Sequence, residues 1–312
     1  MRPRPWTAAA VPAQHGRTAV VTGANTGLGF ETARMLAERG ATVVLACRDA
    51  AKAAAAAQRI RALAPRGRVT TLALDLASQA SVHRAAERLR AEHERIDLLV
   101  NNAGGMRSAP QVTEDGFECT LATNHLGPFA FTGLVLDRLL AAPGSRVVTV
   151  SSIGHLAGRI RFDDPHFTSG YRRWPAYFQS KLANLMFTFE LDRRLAAAGA
   201  PTVALAAHPG NARTEFGRDM NRLLRALLLG RRTRPLTSWF IQDPEIGALA
   251  TVRAAADPAA RGGDYYGPAG FGQFTGSPVR VRPGARAQDA AAGARLWRES
   301  ERLTGVRYLL GR

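Results

Sequence analysis

The chain has 312 residues, 46% of them hydrophobic, which is enough for one large domain or two small ones around a sizeable buried core. Its formal charge of +17 comes from 42 basic and 25 acidic residues, and its two cysteines, Cys47 and Cys119, lie far apart in segments that read as buried strand or helix. A disulfide framework, a metal site and a membrane-spanning run of about 18 apolar residues are therefore not expected.

The charge alone would suit nucleic acid or an anionic membrane, but the arginines are spread from Arg2 to Arg312, alanine abounds and lysine occurs only twice. That pattern suits a GC-rich coding bias acting on surface residues, and no nucleic-acid partner is expected. Met1 to Gly16 carries prolines, arginines and a histidine without the apolar centre of a signal peptide. A flexible extension over 1–16, one domain over 17–312 and a reducing, cytoplasmic setting are expected.

In chain order, an apolar run at Thr18–Val21 leads into Thr22-Gly23-Ala24-Asn25-Thr26-Gly27-Leu28-Gly29 and then a helical pattern through Arg39. Further strands are predicted at Thr42–Leu45, Val69–Leu74, Ile96–Val100, Arg146–Val150 and Thr202–Ala206, with helices over 49–63, 78–94, 113–141 and 175–198 between them. A helix near 215–234, another near 244–256, a short strand at Asp264–Tyr266 and a last helix near 286–304 complete the reading. Alternating strands and helices imply right-handed crossovers, hence an α/β fold: a doubly wound, Rossmann-type parallel sheet of about seven strands with helices on both faces.

Glycines 23, 27 and 29 fall where a first strand turns into its helix. A tight turn, close approach to a pyrophosphate and a helix N-terminus are all required there. Arg48 ends the second strand, where an acid would bind the ribose hydroxyls of NAD and a guanidinium would pair with a 2′-phosphate, so NADP(H) is expected over NAD(H). Asp75-Leu76 is placed to cap the next helix or to meet an adenine amino group. Asn101-Asn102-Ala103-Gly104 and Ser151-Ser152 follow the fourth and fifth strands, at the edge where open α/β sheets bind ligands. Tyr177 and Lys181 stand one helical turn apart, and an ammonium beside a phenol lowers its pKa enough to make the tyrosine a usable acid or base.

In the order and spacing of these motifs, together with Asn124 and His208-Pro209-Gly210, the chain resembles the short-chain dehydrogenase/reductases over about residues 17 to 305. Within them it is most similar to the retinol dehydrogenase-like and WW-domain-oxidoreductase-like branch. The supporting segments are Ala46-Cys47-Arg48-Asp49, Thr123–Gly127, Ser180–Asn184 and Leu296–Glu301, together with the wide separation of Ser152 from Tyr177. The resemblance implies that Tyr177 exchanges a proton with the substrate oxygen and that Lys181 tunes the phenol and holds the nicotinamide ribose. Ser152 would support the developing alkoxide, Asn124 would order a relay water, and Pro209, Gly210 and Thr214 would bracket the carboxamide. Gly23, Asn25, Thr26, Gly27, Leu28, Gly29, Arg48, Asp75, Leu76, Asn101, Ala103 and Gly104 would complete the cofactor site. Gly105-Met106 and Asn211-Ala212-Arg213 depart from the family pattern beside the substrate pocket.

The expected activity is therefore NADP(H)-dependent hydride transfer on a small lipophilic carbonyl or alcohol. A non-catalytic, NADP-binding redox-sensing regulator is the alternative. A substrate lid is expected over about 211–242, walled by Leu223, Leu224, Leu227, Leu228, Leu229, Trp239 and Phe240. Its basic part, 215–234, could also touch a membrane surface. Pairing into a homodimer or homotetramer through the helices after the fourth and fifth strands is expected from the resemblance.

Overall fold

The computed structural model describes residues 5–65, 67–212 and 240–310. Thr214, Trp239, the basic segment 215–234 and most of the expected lid lie outside the described residues. The apolar runs solve their backbone hydrogen bonding by pairing into one sheet. Its strands are β1 (Thr18–Thr22), β2 (Thr42–Cys47), β3 (Arg68–Ala73), β4 (Leu98–Asn101), β5 (Arg146–Val150), β6 (Val203–Ala207), β7 (Tyr265–Pro268) and β8 (Pro278–Arg280). They run in the order β3-β2-β1-β4-β5-β6-β7-β8. β1 to β7 pair in parallel, in registers such as Thr18 with Thr42 and Ala19 with Leu98, whereas β8 pairs antiparallel to β7. β8 is one strand more than the sequence suggests: it is only three residues long, begins with proline and carries no apolar run.

The helices are α1 (Gly27–Glu38), α2 (Ala50–Leu63), α3 (Gln79–Glu92), α4 (Gly127–Leu134), α5 (Leu136–Leu140), α6 (Arg173–Ala197), α7 (Pro244–Ala256) and α8 (Ala290–Thr304). Asp49, Ser78 and Asp289 cap α2, α3 and α8 by accepting the N–H of Lys52, Ser81 and Ala292. The single helix expected over 113–141 is broken instead. Val112 and Glu118 form a bridge, one turn at Cys119–Leu121 runs into a π-helical turn at Ala122–Leu126, and Val135 separates α4 from α5. Pro128 has no N–H to donate back into the helix, so it sits in the first turn of α4 while the N–H of Gly127 reaches five residues back to Ala122.

Both faces of the sheet are buried, as near-continuous apolar strands require. Ala19, Val21, Val43 and Leu45 pack under Phe30, Ala33 and Leu36 of α1, Ala53 and Ile60 of α2, and Ala250 and Ala254 of α7. Val20, Leu99 and Val147 pack on the other face under Leu89 of α3, Phe129 and Phe131 of α4, and Phe187 and Leu191 of α6. In the segment ahead of β1, Trp6, Ala8 and Val11 pack against Met35, Leu249 and Val252. Among the described residues no helix is long and apolar enough to cross a membrane.

α8 lies along α6, and the tail beyond it brings Tyr308 onto the same flank. The rings of Trp297, Tyr308 and Phe187 surround Phe129 at centroid distances of 5.1, 4.9 and 5.5 Å, and Tyr308 Oη donates to the Phe129 carbonyl at 2.6 Å. Phe129→Ala should therefore lower stability by about 3–5 kcal/mol, read as a reduced urea midpoint with an unchanged m-value. A loss under about 1 kcal/mol would mean that this cluster collapses around the gap.

Candidate active site

Six parallel strands end on the same edge of the sheet, and the loops that follow them surround a cleft of about 990 Å³. Its walls come from the glycine turn after β1, Arg48 and Asp49 after β2, and Asp75 and Leu76 after β3. Asn102 to Arg107 after β4, Ser152 to Gly154 after β5, and Gly210 to Ala212 after β6 continue them, and Tyr177 and Phe178 of α6 close the ring. β1 and β4 are neighbours although the chain has meanwhile built β2 and β3 on the other side. That reversal opens a crevice between their carboxyl ends.

The glycine turn is shaped by contact as well as by conformation. Gly23 has φ +67°, and a Cβ there would stand 2.9 Å from the Ala103 Cα, so only glycine lets the first loop lie this close to the fourth. No side chain caps the N-terminus of α1, which leaves its first N–H groups and the positive end of its dipole facing the cleft. Cys47 lies beneath the turn and its sulfur accepts from the backbone of Ala24 and Asn25; burial pushes the thiol pKa up. A dinucleotide pyrophosphate fits this cradle on those grounds.

At the end of β2 the exposed Arg48 shares the rim with Lys52, whose Nζ lies 2.9 Å from Asp49 Oδ2. Lys52 did not emerge from the sequence as a site residue. Yet the rarity that singles out Lys181 applies to it equally, because both lysines of the chain belong to this region. Asp75 does not cap α3, a task that falls to Ser78. It lines the cleft instead and accepts from the N–H of Ala77 at 3.0 Å.

Not every expected cofactor residue comes to the cleft. Asn101 is 2% exposed and donates through Nδ2 to Thr132 Oγ1 at 2.9 Å, on the α4 side of β4. Its neighbour Asn102 lines the cleft in its place, since successive strand residues face opposite ways. Pro209 is likewise not a wall residue, and its carbonyl accepts from Gln242 Nε2 at 2.6 Å, whereas Gly210 reaches the cleft. Asn25, Thr26, Gly27, Leu28, Gly29, Leu76, Ala103 and Gly104 all line it.

Tyr177 and Ser152 face the cleft together, and Lys181 and Asn124 lie directly behind them. A Cβ added at Gly104 would stand 3.1 Å from Asn124 Oδ1 and 3.3 Å from Lys181 Nζ, so these two groups meet across one glycine. Lys181 is 1% exposed, donates to the Val150 carbonyl at 3.2 Å and has its ammonium 5.7 Å from the centroid of the Tyr177 ring. The π-helical turn delivers Asn124, whose amide pairs with both the N–H and the carbonyl of Gly105 at 2.9 Å and donates to Ser180 Oγ at 2.9 Å.

Two buried histidines brace this arrangement. Gly284 N–H donates to His155 Nε2 at 3.0 Å, so the ring proton sits on Nδ1 and is donated to the Ser152 carbonyl at 2.7 Å. His208 accepts from Gly210 N–H and donates to Gln273 Oε1 at 2.9 Å, and burial pushes its pKa down to about 4. Both rings are held neutral by desolvation. His155 had no sequence signal beyond its place three residues after Ser152.

Against known proteins, the short chain dehydrogenase family pattern matches residues 17–223. The chain is 42% identical to human retinol dehydrogenase 13, covering 93% of this chain and 85% of that protein. It is 40% identical to mouse retinol dehydrogenase 12, covering 94% and 88%. Among solved structures it is similar to an uncharacterised protein from Mycobacterium paratuberculosis, with a TM-score of 0.80, 42% identity and coverage of 98% and 99%. It is also similar to the NADP active-site complex of Pseudomonas aeruginosa RhlG, with a TM-score of 0.63, 25% identity and coverage of 81% and 94%. An eight-stranded sheet with its cleft at the β1–β4 reversal, and family relatives matched along nearly the whole chain, lead to one conclusion: this protein belongs to the short chain dehydrogenases, in their retinol dehydrogenase-like branch.

Proposed function

We propose that this oxidoreductase of CH–OH and C=O groups transfers hydride between NADP(H) and a small lipophilic carbonyl or alcohol, with Tyr177 as proton donor and acceptor. The observation that carries the reading is the meeting of Asn124 Oδ1 and Lys181 Nζ behind Gly104, on the wall that Tyr177 and Ser152 present to the cleft. A dinucleotide-binding regulator would need the glycine turn and not this group of four.

The cofactor, when bound, supplies or accepts the hydride. The chain's own residues handle the proton and the substrate. Tyr177 gives its hydroxyl proton to the carbonyl oxygen in reduction and removes it in oxidation. The Lys181 ammonium favours the phenolate left behind, and burial of both groups keeps that attraction from being screened by water. Ser152 Oγ accepts the Gly154 N–H at 3.2 Å, which leaves its own proton to donate to the oxygen that becomes an alkoxide. Both Asn124 Nδ2 protons are engaged, and Oδ1 has a lone pair beyond its bond from Gly105, suited to a relay water between Lys181 and solvent. Met106, Ile153, Trp174 and Phe178 supply apolar wall for the body of the substrate.

NADP(H) is favoured over NAD(H) because two cations, Arg48 and Lys52, stand on the rim after β2, where an adenosine 2′-phosphate would lie. Asp49 does not oppose them freely, since it caps α2 and is paired with Lys52.

Tyr177→Phe should lower kcat on long-chain aldehydes on the order of a hundred- to ten-thousand-fold, while quenching of protein fluorescence by NADPH persists; full activity in this variant would remove Tyr177 from the chemistry. Arg48→Asp should cut the ratio of kcat/KM with NADPH to that with NADH by about tenfold or more, the worth of one hydrogen bond to a charged group. An unchanged ratio would mean that Arg48 does not read the phosphate.

A further inference from the structure

We propose that the substrate carries an anionic group, a carboxylate or a phosphate, beside its apolar body and carbonyl, and that Arg107 receives it. The proposal rests on the carbonyl-reducing reading and narrows its substrate class. Among the described residues that line the cleft, the charged ones fall into two sets. Arg48, Asp49, Lys52 and Asp75 stand after β2 and β3, in the cofactor half. Arg107 and Arg173 stand with Ser152 and Tyr177, and no described carboxylate lines that half.

Arg107 is held in place at both ends. Its Nε donates to Cys119 Sγ at 3.2 Å, and its carbonyl accepts from Tyr171 Oη at 2.9 Å. The residue is half-buried and lines the cleft, and beyond the Nε bond to Cys119 its guanidinium has no hydrogen-bond or ion-pair partner among the described residues, so its two terminal nitrogens remain available as donors. A partly desolvated guanidinium without a counter-charge among the described residues costs free energy. An anion would offset that cost, and the flat, forked donor set matches the two oxygens of a carboxylate or phosphate. The fixed Nε also removes much of the side-chain entropy that binding would otherwise cost.

Arg173 opens α6 one turn before Tyr177, lines the same cleft and has its guanidinium 5.5 Å from the Trp174 ring. The net charge of +17 would steer an anionic amphiphile toward the protein from a distance. Met106, Ile153 and Phe178 line the same cleft and offer apolar wall to the body of such a substrate.

The test compares ω-oxodecanoate, its methyl ester and decanal as substrates with NADPH, in the wild type, Arg107→Gln and Arg107→Lys. The wild type should prefer the acid to its ester by about tenfold or more in kcat/KM, the size expected of one hydrogen bond to a charged group. The preference should shrink with added salt, fall toward unity in Arg107→Gln and partly survive in Arg107→Lys, with the change carried mainly by KM. An ω-oxodecyl phosphate arm distinguishes the anion: the larger preference over the neutral ester names the group. In parallel, calorimetry with decanoate, decyl phosphate and decanamide reads the anion site without any turnover. Equal turnover of acid and ester by the wild type, or an acid preference that survives in Arg107→Gln, overturns the proposal. Arg107-dependent binding of decanoate with no carbonyl reduced would instead sink the reductase reading and leave the anion site standing.

Discussion

The two halves of the site depend on one hydroxyl. Thr22, the last residue of β1, accepts the N–H groups of Asn102 and Ala103 on its Oγ1 at 3.0 Å and donates to the Val100 carbonyl at 3.3 Å, while Asn102 Nδ2 donates to the Thr22 carbonyl at 2.8 Å. β1 and β4 lie side by side only as far as their strands pair. Beyond that, two loops of different purpose must leave the sheet without separating. Thr22 and Asn102 extend the pairing with side chains and press Ala103 against Gly23. Strands adjacent in space but distant in sequence open a crevice at this point. The hydrogen bonds make that crevice a surface of fixed shape, with the glycine turn on one side and Gly104 on the other.

The cost of placing an ammonium at 1% exposure is met by the same geometry. Lys181 lies in the first half of α6, a helix of 25 residues, and is buried between Tyr177 and Leu182 by packing against β5. The Val150 carbonyl at the end of β5 accepts from Lys181 Nζ and from Asn184 Nδ2, and Ser151 Oγ donates to the Lys181 carbonyl at 2.7 Å. A parallel strand ends with free carbonyls at its carboxyl edge, so the sheet itself offers acceptors where the lysine needs them. Arginine would be a poor substitute in this slot: its planar fork cannot fit beside Gly104 and Asn124, where a single nitrogen stands 3.3 Å from a glycine's missing Cβ. The near-exclusive use of arginine elsewhere on the chain makes the retained lysine intelligible as a constraint of shape.

What could be read from residues alone follows the range of the interaction involved. The alternating apolar runs, the glycine turn and the Tyr177–Lys181 pair are local patterns, and each predicted strand lies within two residues of its observed bounds. The interruption near Ala122–Leu126 was only partly legible: Pro128 is a local sign that a helix begins there, but the preceding π-helical turn also involves residues distant in sequence, with Gly105 on Asn124 and Leu76 crowding Gly127. The facing of Asn101 and Asn102 was confused for a related reason. Two identical residues at a strand end carry no internal sign of which one turns toward α4 and which toward the cleft. Arg107 was hidden in the crowd of arginines, and only its position beside Cys119 and Tyr171 separates it from a surface charge. His155 became visible only with Gly284, 129 residues away in sequence.

The end of the chain bears on assembly. The resemblance leads one to expect a second copy against the helices that follow β4 and β5, here α4 and α6. That flank is where α8 and the tail settle: Trp297 packs edge-on to Phe129 and flat on Phe187, and Tyr308 closes over both. Arg194 lies 4.4 Å over the Trp297 ring, and Glu190, 4% exposed, is engaged by Arg193 and Arg194. An apolar helix face already covered by its own chain has little surface left to offer a partner. A copy approaching from this side meets instead the outer face of α8, where Arg295, Arg298 and Arg302 are exposed and Glu299 pairs with Arg302. A surface of that kind is held in place mainly by charge, so any association through it would weaken as salt screens those charges.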